Sequence, residues 1–156
     1  MKNILVIEDE KEVRETIVEI LEIAGYKAST AENGEQALNI LENEIPDLII
    51  SDIMMPKMDG YQVLDYFYNS PLASKVPFIF LSGKSDSSEI RIGMNKGADD
   101  YITKPFRAKE LLQSIDTQLK KRARIDKKIE EVCNNINVYI SNELGSYTVS
   151  QKNKDK

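Results

Sequence analysis

The chain is 156 residues long, enough for one domain with a short appendage, and its 41% hydrophobic and 30% charged residues are those of an ordinary globular protein. A net charge of -5 argues against bulk nucleic-acid binding, which needs clustered Lys and Arg. His and Trp are absent and Cys133 is the single cysteine, which excludes His-triad hydrolases, His or Cys metal clusters, an intrachain disulfide and a phosphohistidine in cis.

Acidic residues arrive at position 8, so no signal peptide is visible, and no apolar run approaches the roughly 20 residues of a membrane span. A cytoplasmic protein is the expectation. Asn3 to Ile7 reads as a first strand, apolar throughout as strands covered on both faces are. Glu8-Asp9-Glu10 is loop. Lys11 to Ala24 has Val13, Ile17, Ile20, Leu21 and Ala24 at helical spacing, with Gly25 as its stop. Tyr26 to Ala31 is a shorter, more polar second strand, expected at an edge. Asn33-Gly34-Glu35-Gln36 resembles a helix cap with a Gln three residues on, opening a helix to about Asn43.

The apolar run Leu48 to Ile50 is a buried third strand that delivers Asp52 to its C-terminal end before Pro56 stops any ladder. Asp59-Gly60-Tyr61-Gln62 opens a third helix by the same capping logic, ending near Asn69-Ser70-Pro71. Val76 to Leu81 is a fourth strand, followed by the small-residue loop Ser82-Gly83-Lys84-Ser85. Asp86-Ser87-Ser88-Glu89 caps a fourth helix carrying Ile90, Ile92 and Met94, and Gly93 inside it costs about 1 kcal/mol against Ala, which predicts the softest helix. Asp100 to Thr103 is a fifth strand, and a fifth helix starts after Pro105. Five strand–helix alternations predict a parallel, doubly wound α/β sheet.

The fifth helix has no evident stop. Leu111, Leu112, Ile115 and Leu119 form one stripe, and beyond the basic group from Lys120 a second stripe of Ile125, Ile129, Val132, Ile136 and Tyr139 follows at four-three spacing over about two heptads. Residues 121–144 therefore read as a helical extension, and 145–156, polar and charged, as a disordered tail.

In a parallel α/β sheet, ligands bind beyond the carboxyl ends of the strands. Glu8, Asp9 and Asp52 all fall there, and three carboxylates in one place repel unless a hard cation joins them. The reading is Mg²⁺ held directly by Asp9 and Asp52, by Glu8 through water, and by the backbone carbonyl of Met54. A carboxylate beside such an ion can attack phosphorus. Lys104, followed by a Pro105 whose amide bond is a candidate for cis geometry, would set an ammonium against the phosphoryl oxygens, with Ser82 as hydroxyl donor and the Gly83 amide beside it. Each element alone reads as a solvated turn; their joint occurrence at the ends of strands one, three, four and five favours the functional reading.

Residues 2 to about 120 resemble a response-regulator receiver domain of two-component signalling. The resemblance rests on Ile7-Glu8-Asp9-Glu10, Ser51-Asp52-Ile53-Met54-Met55-Pro56 with Met58-Asp59-Gly60, Leu81-Ser82-Gly83, Gly97-Ala98-Asp99-Asp100-Tyr101 and Thr103-Lys104-Pro105-Phe106. It implies a receiver domain over 1–120, flavodoxin-like, with strand order 2-1-3-4-5. It implies phosphorylation of Asp52, Mg²⁺ at Glu8, Asp9, Asp52 and the Met54 carbonyl, and a switch pair of Ser82 and Tyr101 that alters the surface of helix four, strand five and helix five. The expected partners are a histidine kinase or phosphotransfer protein acting in trans, a downstream protein, and a second copy joined through the helix-four to helix-five face or the C-terminal helix; neither nucleic acid nor membrane is expected. The competing reading is a small-molecule aspartyl-phosphate hydrolase, which Met54 counts against, since such enzymes want an acid two residues after the nucleophile. A flavin or nucleotide module would need a Gly-rich loop where Glu8-Asp9-Glu10 stands. Arg107 departs from the family, which often has a capping residue there, and a lost cap costs about 1 kcal/mol. Ser141-Asn142-Glu143-Leu144 faintly resembles the phosphoacceptor helix of a histidine kinase, with Asn142 in the place of the His; an amide cannot accept phosphate.

Overall fold

The computed structural model describes residues 1–71, 73, 75–83 and 87–152, with side chains as far as Leu144. The expected cap residue Asp86 and the loop residue Lys84 lie outside the described residues. Two compact units divide the chain, Met1–Leu119 and the segment from Lys120 onward.

In the first unit the continuously apolar runs become strands β1 (Asn3–Ile7), β3 (Leu48–Asp52) and β4 (Phe78–Ser82), each buried along its whole length. The mixed runs become the edges, β2 (Lys27–Ala31) and β5 (Asp100–Thr103). All pairings are parallel and the order is β2-β1-β3-β4-β5, as expected. Strand side chains alternate between two faces. Ile4, Val6, Leu48, Ile50, Ile79 and Leu81 pack with Ile17 and Leu21 of α1 (Lys11–Ile23) and with Leu111 and Ile115 of α5 (Ala108–Lys152). Leu5, Ile7, Ile49, Phe78 and Phe80 face the other way, onto α2 (Gly34–Asn43), α3 (Gly60–Asn69) and the start of the α4–β5 connection at Ala98, with α4 spanning Ser87–Asn95.

Local chemistry sets the helix ends. At α2, Asn33 Oδ1 accepts the Gln36 N–H at 2.9 Å, but the Gln36 side chain takes the N–H of Glu32 instead of that of Asn33. At α3 the box closes: Asp59 accepts from Gln62 N and the Gln62 side chain accepts from Asp59 N. At α5 the Glu110 carboxylate accepts the Arg107 N–H at 3.2 Å, so part of the cap that Arg107 cannot supply comes from the third helical residue.

Three boundaries differ from the expectation. Tyr26 belongs to the close of α1, its N–H donating to Leu21 O, so β2 starts at Lys27. β4 starts at Phe78 because the Val76 N–H is already used in a turn to Ala73 O, and it extends to Ser82. α5 continues to Lys152, past the expected end of the extension at 144, and residues 153–156 of the expected 145–156 tail lie outside the described residues. The 145–152 stretch has no Pro, and Gly145 costs about 1 kcal/mol, too little to end a helix already propagating.

A Cβ at Gly93, inside α4, would lie 3.1 Å from Tyr101 Cδ2 and 3.2 Å from Phe80 Cδ2. The position is a notch into which two rings fit.

Candidate functional site

Parallel pairing brings the strand ends to one edge of the sheet. Ile7 is level with Ser51, Asp52 with Leu81, and Ser82 with Thr103. The residues after β1, at the end of β3, at the end of β4 and after β5 therefore meet, and these are the residues singled out in the sequence.

Glu8, Asp9 and Asp52 each offer a carboxylate oxygen within 4.8 Å of the other two. Glu8 and Asp52 are buried and Asp9 is exposed, so the cluster is open on the Asp9 side. The Lys104 ammonium lies 2.7 Å from Glu8 Oε2 and 3.5 Å from Asp52 Oδ2, and the Lys104–Pro105 peptide is cis. Asp52 Oδ1 accepts the Ile53 N–H at 2.8 Å, and Glu8 Oε1 accepts the Glu10 N–H at 3.2 Å.

These contacts set the electrostatics. Burial pushes the Glu8 carboxyl up to about 7; the Lys104 hydrogen bond opposes this and the Asp52 charge adds to it. Burial also raises Asp52, against the nearby Lys104 charge and the Ile53 hydrogen bond. Burial works to lower Lys104, but its hydrogen bond to Glu8 and the charge of Asp52 outweigh it, and its pKa is raised. Three carboxylates and one ammonium leave a local excess of negative charge. The donor set is all hard oxygen, partly dehydrated and open on one side, which fits a small divalent cation.

Ser82 ends β4 and is buried, and its carbonyl accepts the Lys104 N–H at 2.8 Å, which ties the hydroxyl and the ammonium to one ladder. Met54 sits in the loop after β3 with its side chain 60% exposed, so only its main chain is a candidate for the site. A Cβ on Gly83 would meet nothing within 4 Å, so packing does not account for glycine there. Tyr101 lies half-buried in β5, its ring in an edge contact with Phe80 at 6.3 Å and against Gly93.

Two contributors escaped the sequence reading. Arg14, on α1, donates from Nη1 to the Glu8 carbonyl at 2.8 Å and holds the acidic loop; nothing in the spacing of a helix residue and a loop carbonyl advertises that. Gly60 was visible as a motif and helix-opening residue, but not for its approach to the backbone of Asp52. A Cβ on it would strike the Asp52 carbonyl and lie 2.9 Å from Ile53 Cα, and its N–H donates to Ile53 O at 2.8 Å. The α3 start is thus pressed against the backbone that carries Asp52.

Known proteins share this fold and sequence pattern. Residues 4–116 match the model of the response regulator receiver domain. The chain is 44% identical over 126 residues to "Probable transcriptional regulator ycf27" of Porphyridium aerugineum, covering 81% of this chain and 50% of that protein. It is 38% identical over 120 residues to the phosphate regulon transcriptional regulatory protein PhoB of Pseudomonas aeruginosa, covering 77% and 52%. The chain thus spans about half the length of the curated relatives it matches. Among solved structures, the signal receiver domain of a signal transduction histidine kinase from Syntrophus aciditrophicus superposes with a TM-score of 0.73 at 36% identity, covering 78% of this chain and 92% of that one.

Proposed function

Because the chain belongs to the response-regulator receiver family, we propose that it accepts a phosphoryl group on Asp52 from a histidine kinase or phosphotransfer protein supplied in trans. The observation that supports this most is the meeting of Glu8, Asp9 and Asp52 within 4.8 Å, beside the Lys104 ammonium.

In the forward step an Asp52 carboxylate oxygen attacks phosphorus, the bond from phosphorus to the donor imidazole nitrogen breaks, and the imidazole leaves with that electron pair. In the return step water attacks phosphorus, the acyl phosphate opens, and inorganic phosphate and the carboxylate are regenerated. Glu8, Asp9, Asp52 and the Met54 carbonyl would hold Mg²⁺, which when bound supplies positive charge against the phosphoryl oxygens. Lys104 moves its ammonium from Glu8 toward the new dianion, and Ser82 donates its hydroxyl to it. The Tyr101 ring follows the displaced Ser82 deeper into the notch at Gly93, and the surface of α4, β5 and α5 changes for a downstream protein or a second copy. A cytoplasmic setting goes with this reading; among the described residues no helix is long and apolar enough to cross a membrane.

The small-molecule hydrolase reading gains no support, because the exposed Met54 side chain offers no acid two residues beyond Asp52. The test is incubation with acetyl phosphate and Mg²⁺ followed by mass spectrometry. One phosphate mass is expected on the chain and none on Asp52→Ala. Equal labelling of both overturns the assignment, and rapid multiple turnover of a phosphomonoester would favour the hydrolase.

A further inference from the structure

The segment of α5 beyond Leu119 is a compact unit of its own. Along it Ile125, Ile129, Val132, Ile136 and Tyr139 recur at four-three spacing and are 44–66% exposed. Five large apolar side chains in one row, with Val138, Ile140 and Leu144 the other exposed large apolar residues of the segment, are the seam of a coiled coil that lacks its second strand. Arg122 continues the seam at its N-terminal end, its guanidinium paired with Asp126 one turn on, and Glu143 continues it at the other end.

We propose that a second copy of this chain covers the seam, the two helices running antiparallel about a twofold axis between Ile129 and Val132. In such an isologous pair each contact occurs twice. Ile129 meets the partner's Val132, Ile125 meets the partner's Ile136, and Arg122 meets the partner's Tyr139. Every layer built from residues 122–139 is then apolar against apolar, or a guanidinium against an aromatic face.

The charge distribution selects this direction. Residues 120–131 carry six cations and three acids, whereas residues 132–144 carry Glu143 as their only charge. A parallel pair would set basic end against basic end, with Arg122 facing the partner's Arg122 and Glu143 the partner's Glu143 inside the seam. The antiparallel pair lays the basic end of each helix along the neutral to weakly acidic end of the other. On the flanks, Lys121 and Lys128 then lie beside the partner's Asn142 and Asn135, and no like charges are juxtaposed. The seam is short, about 27 Å for 18 residues, so association in the micromolar range is expected.

The experiment is sedimentation equilibrium of the whole chain over a concentration series, together with directed crosslinking. A monomer–dimer equilibrium is expected. Ile129→Lys and Ile136→Lys should each give monomers while still gaining one phosphate from acetyl phosphate, which separates this proposal from the fate of Asp52. For direction, chains carrying Cys133→Ser with Ile125→Cys are mixed with chains carrying Cys133→Ser with Ile136→Cys and oxidised. A disulfide between the two kinds of chain is expected, well above that formed by either kind alone and above that of a Lys127→Cys control on the opposite face. A chain that stays monomeric, a dimer that survives both Lys substitutions, or crosslinking of each cysteine variant chiefly to itself overturns the proposal.

Discussion

The acid cluster should make the metal-free protein lose stability toward neutral pH. Glu8 titrates in the fold at about 7 against 4.5 in an unfolded chain. Between those values the folded state keeps a proton that the unfolded state has released. The stabilisation is complete below pH 4.5 and is lost as pH rises through about 7. A displacement of about 2.5 units corresponds to about 3 kcal/mol at most. Asp52, also raised, acts in the same direction. Mg²⁺ binds the ionised acids, so saturating Mg²⁺ should cancel the loss at neutral pH; a ligand at a hundredfold its Kd contributes about 2.7 kcal/mol. The assay is urea unfolding by near-ultraviolet circular dichroism across this window, with and without Mg²⁺, for the natural chain, Glu8→Gln and Asp52→Asn. The urea midpoint of the metal-free natural chain should fall with pH, Glu8→Gln should flatten the profile, and Mg²⁺ should raise the midpoint most at the neutral end. A flat or rising midpoint without metal, or a slope that Glu8→Gln leaves undiminished, refutes the reasoning.

Gly60→Ala forces the start of α3 off the backbone of Asp52 and Ile53, with no flexible side chain to yield, and should cost about 1–3 kcal/mol in urea unfolding while slowing labelling by acetyl phosphate. Gly93→Ala gains about 1 kcal/mol of helix propensity but crowds Tyr101 and Phe80; its net effect should be more favourable in a Tyr101→Ala background than in the natural one, and equal effects in both would refute the notch. Arg107→Asp supplies a side-chain cap at the start of α5 and should add about 1 kcal/mol, read as a higher urea midpoint.

How much of this was readable from the chain depended on the kind of signal. β1, β3 and β4 announce themselves because a strand covered on both faces must be apolar at every position, and each is buried throughout. Asn33 and Asp59 announce helix starts because capping is settled within four residues. The polar groups at the strand ends followed from the same strands, since parallel order forces those ends together. Gly60, Gly93 and Arg14 were opaque for the opposite reason. Gly60 answers to the Asp52 carbonyl, Gly93 to a ring on β5, and Arg14 to a loop carbonyl six residues back. Such demands come from three-dimensional approach and leave no periodic trace. The strand starts at Lys27 and Phe78 were missed by one and two residues, because hydropathy does not report which amide a turn has already claimed.

The hydrogen bond from the Lys104 amide to the Ser82 carbonyl has a consequence for how such a module can diversify. The two groups that would grip an incoming phosphoryl are spaced by the pitch of the sheet, because Ser82 and Thr103 are level across the β4–β5 pairing. Surface side chains around the strand ends can then vary, and with them who recognises the module, while the grip keeps its dimensions.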